Sequence, residues 1–190
     1  MEEPSEKELD PAVSPLFVGT VHDKLREYDG RRVGESRPCP GCDSTDHRRN
    51  GYQRAAKTFA RLVTEDGFEE VGLEVQQYEC TACGRSYQGD ISAFFYDGCE
   101  YGQPIVDLAV FHAANDSYEG VERTFQRVYG LQIDRDTVQR YDERFDSASS
   151  QENAVTVRGH RISLPFLAYL FDQDVDGGWP FVISSDTALW

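Results

Sequence analysis

Apolar residues in this chain change their period along its length, and the changes mark its elements. From Pro15 to Asp29, the positions Leu16, Phe17, Val21, Leu25 and Tyr28 recur at helical spacing. They predict a short amphipathic helix, ended by Gly30-Arg31-Arg32 and Gly34. Between residues 37 and 90 the spacing shortens to that of strands. Thr58-Phe59-Ala60-Arg61-Leu62-Val63 and Leu73-Glu74-Val75-Gln76-Gln77-Tyr78 flank a turn signal, Glu65-Asp66-Gly67. Residues 103–146 return to helical spacing three times. Pro104 suits a first helical position and sets Ile105, Leu108, Ala109 and His112 on one face, His112 reading as a core histidine. Ser117 is a good N-cap for a stripe of Val121, Phe125 and Val128. Gly130 breaks that helix, and Asp134 caps a third in which Val138, Tyr141 and Phe145 face inward. Asp146 to Asn153 reads as a linker. Ile162 to Phe171 and Trp179 to Ser184 then read as two strands joined by an acidic, glycine-containing turn.

The chain has 190 residues, enough for one or two domains, and its mean hydropathy is −0.59. No apolar run approaches the ~18 residues that would span a bilayer. The Met1-Glu2-Glu3-Pro4 start lacks the basic and apolar character of a secretion signal, so a cytoplasmic protein is expected. The first 14 residues are acidic and punctuated by proline, which predicts a disordered tail. Acids outnumber bases 34 to 19, for a net charge of −15. Lysine is scarce among the bases (Lys7, Lys24 and Lys57 alone), a balance that resembles proteins of salt-accumulating archaea; an ordinary acidic protein is the other reading. Such a charge normally argues against nucleic acid, because affinity for the backbone comes from neutralising phosphates. At molar salt that term has largely vanished, so net charge does not veto DNA here. One stretch is clearly positive: Arg48, Arg49, Arg54, Lys57 and Arg61 occur with no acid between them.

Four of the five cysteines form two Cys-x-x-Cys pairs, Cys39-Pro40-Gly41-Cys42 and Cys80-Thr81-Ala82-Cys83. Two intervening residues let a tight turn aim both sulfurs at one ion, and two such turns make the tetrahedral all-sulfur set that zinc prefers. Asp43 and Gly84 follow the pairs as turn residues. The 37 residues between the pairs exceed the common ~15–20, and the predicted hairpin accounts for the excess. A redox dithiol needs one pair and sits at a helix start after a strand, as neither pair does here. Disulfides are disfavoured in a reducing cytosol. The cysteines therefore predict a structural zinc ion, closed by four protein ligands, that folds its domain rather than doing chemistry. Cys99 reads as a buried or idle thiol, and His47 is not expected to be a ligand.

The third predicted helix offers Arg135, Asp136, Gln139, Arg140, Glu143 and Arg144 outward, and Arg and Gln can make bidentate contacts to guanine and adenine edges. Helix, glycine-containing turn and a helix with Thr137 one turn in form the helix-turn-helix layout. A generic three-helix bundle with a solvated charged face has the same pattern. The order of a first knuckle, Arg48-Arg49-Asn50-Gly51, a second knuckle in Tyr78-Glu79-Cys80-Thr81-Ala82-Cys83-Gly84 and this helix-turn-helix resembles the N-terminal half of prokaryotic insertion-sequence transposases with a zinc ribbon. The resemblance covers roughly residues 37–146, and Leu131–Tyr141 is its most similar part. It implies that ribbon and helix-turn-helix bind the terminal inverted repeats of an element, ahead of a ribonuclease-H-like domain with three carboxylates.

The chain departs from that pattern at its C-terminal end. Only 44 residues follow Asp146, room for one hairpin of such a domain. Asp172 is the weak candidate for a first-strand carboxylate, with Asp186 its rival. Asp172, Asp174 and Asp176 also read as a solvated acidic turn. A chain truncated before the full catalytic domain, with no DNA cleavage of its own, is the expectation.

The expected organisation is thus α+β: a tail (1–14), an N-terminal helix and linker (15–36), a zinc ribbon (37–100), a helix-turn-helix (101–146), and a linker with a partial ribonuclease-H-like β-hairpin (147–190). The expected ligands are zinc on Cys39, Cys42, Cys80 and Cys83, and double-stranded DNA. Arg48, Arg49, Arg54 and Arg61 would approach phosphates, Arg123 and Arg127 the backbone, and Arg135, Gln139 and Arg140 base edges. A homodimer is an expected assembly, and no membrane is. A stand-alone transcription regulator and a zinc-ribbon protein-docking module are the rival functions.

Overall fold

The computed structural model describes residues 15–146, 154–157, 160–171 and 183–184, and mixes helices with strands. Helix α1 (Pro15–Arg26) leads to strands β1 (Arg32–Val33), β2 (His47–Tyr52), β3 (Lys57–Thr64) and β4 (Gly67–Cys80). At 14 residues β4 is the longest strand, and the five-stranded sheet is built on it. β3 runs antiparallel to its first half, with Thr64 opposite Gly67 and Lys57 opposite Leu73, so the hairpin turns where Glu65-Asp66-Gly67 predicted. β2 and β5 (Ser86–Gln88) flank its second half, and β1 pairs in parallel at Glu74 and Val75.

Val71, Leu73 and Val75 of β4 are buried, while its glutamates face neighbouring arginines. Glu70 meets Arg61 at 3.0 Å, Glu74 meets Arg32 at 2.9 Å and Glu79 meets Arg48 at 2.8 Å. Each of these pairs is also a direct cross-strand neighbour, where opposite charges favour the register. Glu69 reaches back to Arg26 of α1 at 2.7 Å.

The helical part follows the predicted caps. α2 (Gln103–Ala113) starts with Pro104 in its first turn and is buried through His112. α3 (Tyr118–Thr124) is capped by Ser117, whose Oγ accepts the Gly120 N–H at 3.1 Å. A wider, π-helical turn over Phe125–Tyr129 extends it, closed by Gly130 at φ 66. α4 (Arg135–Arg144) begins at Asp134, whose carboxylate accepts the Thr137 N–H at 2.8 Å. Val121, Phe125, Val128, Val138, Tyr141 and Phe145 are all buried, as the periodicity predicted.

One hydrophobic cluster joins Val21 and Leu25 of α1, Phe59 and Leu62 of β3, Leu73 and Val75 of β4, and the inward residues of α2 to α4. Each fully buried large side chain contributes about 1.5–3 kcal/mol, so sheet and helices stabilise one another. The chain between α3 and α4 is bound to β3 directly. The Gln132 N–H donates to Arg61 O at 2.9 Å, and Leu131 bridges Leu62.

Beyond α4, β6 (Phe145–Asp146) pairs with β9 (Ile183–Ser184), and β7 (Ala154–Val157) forms an antiparallel pair with β8 (His160–Ser163). Here the structure corrects the expected strand over Ile162–Phe171. Only Ile162 and Ser163 are extended, and Leu164–Leu170 is helix α5. Ser163 caps it by accepting the Phe166 N–H at 3.3 Å, Pro165 fits its first turn, and Phe166, Tyr169 and Leu170 turn inward. A short apolar run fits a buried strand or a buried helix equally well, and the cap decides. The expected tail (1–14), the linker after Asp146 through Asn153 and the turn holding Asp172 lie outside the described residues, as does Asp186.

Candidate metal centre and nucleic-acid interface

The two cysteine turns are built alike. Asp43 N–H donates to Cys39 O and Gly84 N–H to Cys80 O, both at 2.9 Å. Cys39 N–H donates to Ser44 O and Cys80 N–H to Arg85 O at the same distance. Asp43 at φ 56 and Gly84 at φ 75 take the left-handed conformation that folds each turn back. β2 brings the turns together, since His47 lies opposite Cys80 across the ladder. The four sulfurs then fall within 4.8 Å of one another. The Cys39–Cys83 and Cys42–Cys80 sulfur separations are 3.7 and 3.6 Å. Ligands at ~2.3 Å around a tetrahedral ion stand about 3.8 Å apart, whereas a disulfide needs about 2.05 Å. The four cysteines are unlinked thiols at the spacing of a metal site.

Cys39 and Cys80 are buried, Cys42 and Cys83 exposed. Tyr78 and Tyr87 close the inner side in a small cluster of their own, and their hydroxyls donate to Gly34 O and Arg37 O. His47 stands edge-on to Tyr78, its ring centroid 4.8 Å away, as packing rather than as a ligand. The Cys83 and Ala82 amides, the former with the larger effect, bring the Cys80 thiol down to about 7 against the cost of burial. At Cys42 the Ser44 amide pulls the same way, but the neighbouring sulfurs of Cys83, Cys80 and Cys39 outweigh it, and the thiol is pushed up to about 12. Four adjacent thiolates repel, and a divalent cation among them removes that repulsion. All four ligand positions would then belong to the protein.

The basic stretch divides into engaged and unengaged arginines. Arg48 pairs with Glu79. Arg61 is held by Glu70, by Glu100 at 3.2 Å and by the Tyr101 hydroxyl at 2.8 Å, and it lies over the Phe68 and Tyr101 rings. Lys57 donates to Cys99 O at 3.0 Å. Arg49 and Arg54 are exposed and form no ion pair among the described residues, and the same holds for Arg123 and Arg127.

α4 exposes Arg135, Gln139 and Arg140 while Thr137, Val138 and Tyr141 are buried. Arg135 is in contact with Glu119 at 3.3 Å and Asp136 at 3.2 Å, and Gln139 donates to Glu143 at 2.7 Å. Arg140 donates to the Thr137 hydroxyl at 2.6 Å. The sequence pattern did not reveal these partners, because each depends on side-chain placement; only the capping spacing of Asp134 and Thr137 is visible in it. Cys99 and His112 are buried as expected. His112 shares a hydrogen bond with the Tyr129 hydroxyl at 2.9 Å.

A cleft of about 230 Å³ lies beside His112, lined by Asn115, Asp116, His160 and Arg161. Its charged groups already have protein partners: Arg161 donates to Asn115 at 2.7 Å and stacks over Phe111, and Asp116 accepts the Ser117 N–H. Comparison with models of known families, with curated proteins and with solved structures finds no match.

Proposed function

We propose that the chain is a zinc-dependent DNA-binding protein that recognises duplex DNA as the front half of an insertion-sequence transposase does. The observation that carries the DNA reading is α4. It follows a tight glycine turn, buries Val138 and Tyr141, and leaves Arg135, Gln139 and Arg140 exposed together. Those side chains can donate to base edges in the major groove. Zinc is the ion that a four-thiolate tetrahedral set favours, and it would hold β2 and β5 against β4. In this reading Arg49 and Arg54, with Arg123 and Arg127, approach phosphates.

The test is selection from a random duplex pool, followed by anisotropy titrations from low to molar potassium chloride. A selected consensus, bound more weakly by R135Q or Q139A at one base position, supports the reading. Absence of duplex binding at every salt concentration overturns it. One observation favours a second reading, a ribbon that docks on a protein: the chain's own glutamates already neutralise Arg48 and Arg61.

A further inference from the structure

Three exposed donors of α4, Arg135, Gln139 and Arg140, are held in different ways. Arg135 and Gln139 are held by carboxylates, Glu119 with Asp136 and Glu143, on the exposed surface. Arg140 alone rests on a neutral group. Its Nη2 donates to Thr137 Oγ1 at 2.6 Å, and Thr137 Oγ1 in turn donates to Asp134 Oδ2 at 2.9 Å. A hydroxyl has one proton and two lone pairs. The Asp134 carboxylate can only accept, so it takes the proton and turns a lone pair of Thr137 toward Arg140. Thr137 is 1% exposed and its N–H also binds Asp134, so the hydroxyl is fixed by the helix cap itself. Asp134 is held below the ordinary carboxylate range: partial burial opposes this, but the Thr137 N–H and hydroxyl prevail.

We propose, building on the DNA-binding reading, that Thr137 is a positioning residue which aims Arg140 at one base of the target. Arg135 and Gln139 must leave a carboxylate before meeting DNA. Arg140 has no direct carboxylate partner among the described residues, the Asp134 charge reaching it only across Thr137, and its orientation is set before binding. One Nη is anchored, and the remaining donors of the guanidinium fork stay available for two-pronged contact with guanine. Immobilising a long side chain in advance removes an ordering cost from the binding step.

The test uses the full zinc-loaded chain. T137V removes the hydroxyl at constant volume, and T137S restores it. Circular dichroism and thermal melting establish that α4 is retained. T137V should lose roughly three- to tenfold discrimination at the base affected by R140Q, T137S should select like the wild type, and T137V/R140Q should be no worse than R140Q. Additive losses in the double variant, or wild-type selectivity in T137V, overturn the proposal. A measurement on the unsubstituted protein guards against a T137V that fails to fold. ¹⁵N spectra should show hindered rotation of the Arg140 guanidinium and free rotation for Arg54, which is exposed and forms no ion pair among the described residues, and equal averaging in both overturns the proposal. If the wild-type chain binds no duplex at any salt, the DNA-binding reading fails and takes this role with it. If it binds but the Thr137 variants select alike, only the positioning role falls.

Discussion

The carbonyl of Gly130 accepts the Val63 N–H at 2.7 Å, so the turn between α3 and α4 is bonded to the edge of β3. The same carbonyl accepts from His22 Nε2 of α1 at 2.8 Å. Two elements distant in sequence, α1 and β3, thus hold the turn that leads into α4. A single backbone oxygen serves both bonds, at a glycine in the left-handed conformation.

G130A should therefore destabilise the protein by about 1–3 kcal/mol. A Cβ there would lie 2.5 Å from Val18 Cγ1 and 2.7 Å from His22 Nε2, at a φ that side chains avoid. G19A, in α1 with nothing within 4 Å, should be neutral or stabilising. Urea unfolding of the two variants checks this, and equal midpoints would refute it.

With zinc on the four cysteines, as proposed, its removal should loosen only part of the sheet. The cysteine turns and β5 share the small cluster of Cys39, Tyr78, Cys80 and Tyr87, on which β2 packs through His47, whereas β3 and the first half of β4 are packed into the main core. Metal analysis should give one zinc per chain. Hydrogen exchange after chelation should then show faster exchange at residues 37–52 and 76–90, with α2 to α4 still protected. Exchange unchanged by complete metal removal would argue against a structural ion.

The unengaged arginines should behave as phosphate contacts and Arg61 should not. R49Q and R54Q are expected to weaken binding to all duplex sequences alike, each reducing the salt slope by about 1, with no effect on folding. R61Q leaves Glu70, Glu100 and the Tyr101 hydroxyl without their shared partner, so its main effect should be a lower melting temperature. Thermal melts alongside titrations at several salt concentrations separate the two classes.

His112 should make stability depend on pH. Burial disfavours its charged form and brings it down to about 4 from the ordinary 6.5. The unfolded chain therefore takes up this proton first. The contribution is complete above about pH 6.5 and is lost as pH falls toward 4, by up to roughly 3 kcal/mol. H112F removes the titrating group, so its stability should decline less than the wild type over that interval. Parallel pH profiles would contradict the assignment.

Much of this arrangement is local and could be read from the chain. Pro104, Ser117, Gly130 and Asp134 set the starts and stops of α2, α3 and α4, because caps satisfy backbone groups only a few residues away. Glu65-Asp66-Gly67 set the hairpin for the same reason. The two Cys-x-x-Cys turns declared themselves as a pair of ligand turns, since their spacing is itself the geometry. The strand expected over Ile162–Phe171 failed where pattern is weakest, in a short apolar run whose choice between strand and helix rests on Ser163, Pro165 and the core that receives Phe166.

What the sequence determined, then, were the segments and the chemistry that each carries: the thiols, the caps, the buried faces and the exposed arginines. What the tertiary structure decided is how these segments meet. It alone shows that β2 brings Cys39 and Cys42 to Cys80 and Cys83, that glutamates of β4 occupy Arg48 and Arg61 but leave Arg49 and Arg54 unpaired among the described residues, and that Val63 and His22 fix the turn at Gly130. Most of these contacts join residues tens of positions apart, and no local period records them. They follow from the burial of one shared core, which a linear pattern implies but does not assemble.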